Sequence, residues 1–412
     1  MRLCAIVLLF ALGASAQAPN LTTDQLIQLY QGWVAKDPAN ISNRTLLAGA
    51  YVQKTRETTD FDYLNRASKV LDSVLAEKQD YEALRLRNIV ELTLHHFSQA
   101  ADYARAMTVR RPNDVQSWGT LGDALLEMGR YDEARDAFTR MLKLKPGLMS
   151  YNRMGFYYFV TGDPERGIAL MKSAVDAAAM YPENKAWCLV ELGNIYFKTG
   201  RWSEAEQSYR EAVAVFPSAH AAFAALGSVH AAQGKLAEAI ENFKRAQAIT
   251  PMVQYAGALY DLYTLTGKQD EARRQSDLVD VFARIEAAGG LKANRTLALI
   301  YANQDRNLDQ ALELAQADFT VRQDAYTSDV LAWALFKNRR TDEAWHTIQA
   351  ALKLGAPEAL FFYHAGMIAR AMNKISDAKE YFGKALVLNA GFDVRQAAIA
   401  RRALEEIHGE SE

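Results

Sequence analysis

The sequence predicts an all-α protein, an α-solenoid of about ten stacked helical hairpins. Three observations carry this expectation. Bulky and small residues return with a period of about 34 residues. Glycines and prolines punctuate many of the periods at fixed places. The composition of the 412 residues is globular, 50% apolar and 23% charged with nine prolines, which excludes a disordered or collagen-like chain.

With Val115 as position 1, Trp118 falls at position 4, Leu121 and Gly122 at 7 and 8, Leu125 at 11, Tyr131 at 17, Ala134 at 20, Phe138 at 24 and Pro146 at 32. The same frame from Ala186 places Leu192, Gly193, Tyr196, Ala205, Tyr209, Ala212 and Pro217; from His220 it places Phe223, Leu226, Gly227, Ala239, Phe243, Ala246 and Pro251. Small residues at 8 and 20 belong where two antiparallel helices come closest, since a larger side chain would push the backbones apart. Gly129, Gly162, Gly200, Gly234 and Gly267 mark the turns, where positive φ caps the first helix. Pro112, Pro146, Pro217 and Pro251 stop the second. On these residues the chain resembles the tetratricopeptide-repeat family, which implies a right-handed superhelix. The stretches YTSDVLAWALFKNRR and FFYHAGMIARAMNK also look like segments of secreted bacterial members.

Weaker copies begin at Tyr81, Leu148, Val253, near Lys292, and at Ala325 and Ala359. A degenerate unit, interrupted by the polar insert KTRETTD, covers Ile41 to Asp80. A half-unit from Thr23 to Pro38 precedes the array and a terminal helix from Val394 to Ile407 caps it. The period breaks twice. Around AAAMYPEN the unit from Leu148 runs long, so its second helix is expected to be extended. At Gly289-Gly290 a helical pattern is interrupted, and a joint there would give an N-terminal array of residues 17–288 and a C-terminal array of residues 291–408; the alternative is one unbroken superhelix.

The first residues, MRLCAIVLLFALGASAQA, combine Arg2, an apolar stretch from Leu3 to Leu12 and the small residues Ala14-Ser15-Ala16 before Gln17. This reads as a cleavable signal peptide over residues 1–16 and predicts a secreted or periplasmic protein with no transmembrane segment after cleavage, because the apolar run is shorter than the roughly 20 residues that span a bilayer. Cleavage leaves Cys188 alone in an apolar helix, where burial is expected and no intramolecular disulfide can form. A net charge of −2 offers no basic footprint for nucleic acid.

No sequence signature of an enzyme is present. Gly234-Lys235 lacks the flanking residues of a phosphate loop, neither GxSxG nor HExxH occurs, and the adjacent His95 and His96 point apart on a helix. The expectation is therefore no catalytic residue, no cofactor and no metal. Asn-x-Ser/Thr triplets begin at Asn20, Asn40, Asn43 and Asn294; they are glycosylation sites only on a eukaryotic secretory route, and Asn40 and Asn43 also suit a helix start.

The family resemblance implies a concave groove lined by positions 2, 5, 9 and 12 of each first helix. Carried onto this sequence, the lining is Asp123, Asn152, Phe156, Asn194, Asp261, Tyr326, Asp329, Trp333, Phe336, Tyr363 and Met367. Aromatic and carboxamide groups together suit an extended peptide, although some of the rings could pack between hairpins instead. The family's lysine-asparagine-arginine clamp for a C-terminal carboxylate is absent: Val190, Ala221 and Ala225 stand beside Asn194 where it would need charge. The implied function is a non-catalytic scaffold that binds a protein or peptide of unknown identity and supports assembly of a complex in the cell envelope or exterior. The alternative is an accessory protein that stacks a glycan or small molecule on Trp333, Phe336 and Tyr363.

Overall fold

A computed structural model describes residues 21–58, 60–288 and 293–409, and these hold helices and turns without a strand. The proposed signal peptide, Cys4, Asn20 and the glycine pair Gly289-Gly290 lie outside the described residues. None of the described helices is long and apolar enough to cross a membrane.

The chain divides into two compact units, Met1–Leu144 and Lys145–Glu412. In the first, α1 (Thr23–Lys36) precedes the hairpins α2–α3 (Ile41–Thr58, Asp62–Glu77), α4–α5 (Tyr81–Thr93, Phe97–Arg110) and α6–α7 (Val115–Glu127, Tyr131–Leu144). In the second, seven hairpins follow: α8–α9 (Leu148–Val160, Pro164–Ala177), α10–α11 (Pro182–Lys198, Trp202–Val215), α12–α13 (His220–Ala232, Leu236–Ile249), α14–α15 (Val253–Leu265, Gln269–Ala288), α16–α17 (Arg295–Asn303, Leu308–Val321), α18–α19 (Ala325–Lys337, Thr341–Leu352) and α20–α21 (Ala359–Ala371, Ile375–Leu388). The cap is α22 (Gln396–Gly409). One apolar cluster joins Val253, Ala256 and Val279 to Leu297, Tyr301 and Trp333, so packing in the second unit continues from α14–α15 into α16–α18.

The repeat signature has a direct steric basis. A Cβ placed on Gly122 would sit 2.3 Å from the Phe138 ring, and one on Gly193 would sit 2.4 Å from Tyr209; the glycine at position 8 is the socket for the aromatic at position 24. Where position 24 is Met171, position 20 is also glycine, and a Cβ on Gly155 would lie 3.1 Å from the Gly167 carbonyl. Backbone proximity replaces the ring there. Each second helix of the proline-marked units, α5, α7, α11 and α13, stops before its proline, as expected from the clash that a proline imposes on the preceding residue.

The turn between paired helices takes a left-handed residue at position 15 in most of the described hairpins, whether or not glycine is available. Gly129 has φ 71°, while His95, Arg339 and Asn373 hold the equivalent place at 61°, 62° and 58°. Asn294 accepts from the Leu297 amide at 2.9 Å and Asn40 from the Asn43 amide at 3.1 Å, so both asparagines start helices.

Two expectations about the irregular units are corrected. The KTRETTD insert does not interrupt its unit: α2 continues to Thr58, where Lys54 pairs with Asp24 at 2.6 Å and Glu57 accepts from Thr23 at 2.6 Å, so α1 supports the extra turn. The residues around AAAMYPEN do not extend α9, which ends at Ala177. They lengthen α10 instead, because Pro182 suits the first helical position, where no amide hydrogen is required. Met180 and Tyr181 are left in the connection, 84% and 60% exposed. Cys188 is fully buried, as its apolar setting implied.

Candidate functional site

The first helices of the second unit carry most of the expected groove positions, and the structure brings many of them into one polar and aromatic network. Trp333 on α18 stacks on His364 of α20 with ring centroids 4.1 Å apart, and its Nε1 donates to Asn303 Oδ1 at 2.8 Å. His364 Nδ1 lies 2.8 Å from Asp329 Oδ1, with both residues buried, and burial raises the Asp329 carboxyl above its ordinary range while His364 opposes that shift. Phe336 also stacks on Trp333, with ring centroids 5.3 Å apart. Tyr363 lies 5.8 Å from Trp333 and 5.6 Å from Phe392.

Trp333 and Tyr363 are each only 2% exposed. The aromatic platform expected to stack a glycan is therefore corrected to an interior cluster: the rings spend their faces on one another and on His364. Asn152 is also buried, and its Nδ2 lies 3.4 Å from Met171 Sδ within its own hairpin. Asp123, Phe156, Asn194, Phe336 and Met367 are half-buried. Asn194 accepts from the Tyr209 hydroxyl at 2.9 Å, which fixes its amide along the wall.

The remaining wall residues meet parts of the chain far away in sequence. Lys198, at the end of α10, donates to the Tyr326 hydroxyl at 3.2 Å and pairs with Glu358, which also accepts from Tyr326. Burial, followed by the neighbouring Glu358 carboxylate, holds the Tyr326 phenol well above its ordinary value. Gly162 in the α8–α9 turn lies against the carbonyls of Leu354 and Gly355, so close that a Cβ would be 2.9 Å from the first.

The segment between α21 and α22 makes the largest set of such contacts. Asn389, 2% exposed, accepts from Trp202 Nε1 at 3.0 Å and donates to the Phe197 carbonyl at 2.8 Å. Val394 packs against the cluster formed by α12–α14. Arg395 pairs with Asp261 on α14 at 2.8 Å, and Gln396 donates to Asn303 on α16 at 2.7 Å. Burial and then the nearby Asp393 push Asp261 up to about 7, with Arg395 working in the opposite direction. Sequence reasoning found Asp261 and Tyr363 but missed Asn303 and the segment that covers them. The available signal was Ala390, which occupies position 32 of its unit, where the regular units carry proline.

Among the described residues no cluster of three or more His, Cys, Asp or Glu side chains is arranged to hold a metal ion. What the geometry does offer is a wall of carboxamide, aromatic and charged groups that holds an irregular stretch of polypeptide along several helices.

The architecture is that of an α-solenoid of helical hairpins, the class to which protein-interaction scaffolds belong. Family models described as tetratricopeptide repeat match residues 89–148, 148–218 and 190–251, and the chain is a tetratricopeptide-repeat protein. It is similar to the human protein O-mannosyl-transferase TMTC1, 25% identical over 216 residues, covering 51% of this chain and 20% of that protein. It is also similar to protein bimA of Emericella nidulans, 25% identical over 173 residues, covering 41% of this chain and 20% of bimA. These alignments thus span a fifth of each relative's length. Among solved structures, PilW, a widely conserved type IV pilus biogenesis factor, is 19% identical with a TM-score of 0.42, covering 51% of this chain and 94% of that one.

Proposed function

We propose that the protein is a non-catalytic scaffold that grips an extended stretch of a partner polypeptide along the first-helix wall and supports assembly of a complex in the cell envelope or exterior. One observation carries the reading: the wall of the second unit already holds residues 389–396 through a carboxamide, an aromatic contact and an ion pair, and those are the interactions with which extended peptides are held. Export is supported by the run from Arg2 through Leu3–Leu12 to Ala14-Ser15-Ala16. N-terminal sequencing of the protein from its native host is expected to begin at Gln17; a chain still starting at Met1 in the cytosolic fraction would remove the envelope from the proposal.

The scaffold reading is tested by photocrosslinking in the native host. A benzophenone amino acid replaces half-buried Phe156 on the wall or, in a second strain, exposed Lys172 on α9. A defined protein adduct from position 156 and none from 172 is the expected result. Adducts equally abundant from both positions, or none from either, count against a partner on the wall.

A further inference from the structure

We propose that residues 389–396 are an intramolecular stand-in for a partner segment: they occupy the wall of α10, α14 and α16, and a partner with the same chemistry docks there by displacing them. The inference rests on the reading of the wall as a peptide-binding surface and adds to it a partner class and a mode of control.

The segment behaves as a ligand would. Residues 389–395 are irregular, between the last residue of α21 and Gln396, the first of α22, and the side chains of the segment reach wall positions on different helices. Asn389 caps the end of α10 and Trp202; Phe392, three residues on, meets Tyr363; Arg395, three further, meets Asp261. A matching partner is therefore an extended segment with a carboxamide, an aromatic ring and a guanidinium at this spacing.

The fit is incomplete. Gln396 Oε1 on the segment and Gln304 Nε2 at the end of α16 are buried without a hydrogen-bond partner, which a permanently sealed interface would disfavour; the Gln304 amide is a donor that an incoming chain could satisfy. Exchange also asks little of the flanking helices. Phe382 and Ala385 of α21, and Ala400, Ala403 and Ile407 of α22, are buried in the apolar core by their own packing, so the wall contacts can be released while both helices stay seated. Each polar contact given up by the segment is replaced by an equivalent one from the partner, which keeps the net difference small.

The test uses the full-length protein and a fluorescein-labelled peptide with the sequence of residues 386–397, LVLNAGFDVRQA. Hydrogen exchange of residues 389–396 and anisotropy of the peptide are measured for the wild type, Asn389→Ala/Arg395→Ala and the near-isosteric Asn389→Asp, which loses the donor to the Phe197 carbonyl, leaves the wall unchanged and guards against a misfolded double variant. The expected result is exchange of the segment at least about tenfold faster in the variants, together with peptide binding at least about tenfold tighter than by wild type and lost with a scrambled peptide. Unchanged exchange in folded variants overturns the proposal, as does faster exchange without peptide binding, which would make the segment a structural tie. These readouts need no natural partner, so a failed crosslink at position 156 sinks the scaffold reading while leaving this measurement to be judged on its own.

Discussion

At the scale of single residues, the structure separates side chains that shape the fold from those that could serve a ligand. Trp333 belongs to the first group. Trp333→Ala removes a buried ring and its bond to Asn303, and is expected to cost about 3–5 kcal/mol in chemical denaturation, as large-to-small core changes do. A well-folded, equally stable Trp333→Ala protein would show that the ring is not part of the core. Arg339 holds a left-handed turn that glycine takes more easily; relieving about 1–2 kcal/mol of backbone strain, less about 0.5–1 kcal/mol for the greater freedom of glycine when unfolded, leaves Arg339→Gly stabilised by up to about 1.5 kcal/mol. A thermal melt decides its sign. Asp261 provides the pH dependence. Its folded pKa of about 7 lies above the ordinary 3.8, so the closed form keeps a proton that a solvated carboxylate would release. The associated stabilisation is complete below pH 3.8 and is lost as pH rises through about 7, where Asp261 and Asp393 are both charged beside Arg395. Hydrogen exchange of residues 389–396 is therefore expected to quicken between about pH 5 and about pH 8 beyond the intrinsic chemical rate, with the excess absent in Asp261→Asn.

At the scale of the helix and hairpin, the glycine-aromatic socket is the element that can be tested alone. Gly122→Ala drives a methyl group into Phe138, and the overpacking is expected to cost about 1–3 kcal/mol. Adding Phe138→Leu should recover part of the loss, because the smaller side chain vacates the space; no recovery in a double-mutant cycle would show that the two positions do not share one contact. This level was the most legible in the sequence. The socket, the turn and the proline stop all act within a single period, so their residues recur at fixed offsets and the ten hairpins can be read from them. The two misread places, α2 and α10, lack that support. At KTRET the decision lay with α1, through Asp24 and Thr23, and at AAAMYPEN it lay with Pro182, whose preference for a helix start outweighed the helix-forming alanines before it.

At the scale of the whole molecule, the wall was only half legible. Family positions pointed to Asp261, Tyr326, Asp329, Trp333 and Tyr363, and in the second unit these residues do meet. Their burial was not visible because it depends on contacts such as Trp202 to Asn389 and Lys198 to Glu358, separated by 187 and 160 residues. Such encounters are set by small rotations accumulated from one hairpin to the next, and no local pattern encodes the sum. They also change how the unit should unfold. An array with neighbour contacts alone loses cooperativity as it lengthens, whereas long-range ties make distant hairpins stand or fall together. Asn389→Ala/Arg395→Ala is accordingly expected to broaden the urea transition of the protein and lower its apparent m-value; an unchanged slope would mean that the ties contribute nothing to cooperativity.

The grip of Asn389 on Phe197 and Trp202 has a mechanical meaning as well. A chain of hairpins joined only in series stretches like a spring, each member yielding a little. Here a pull applied near the end of α10 has a second route, straight across to the stretch before α22, and the five hairpins in between are spared the strain for as long as that one asparagine holds.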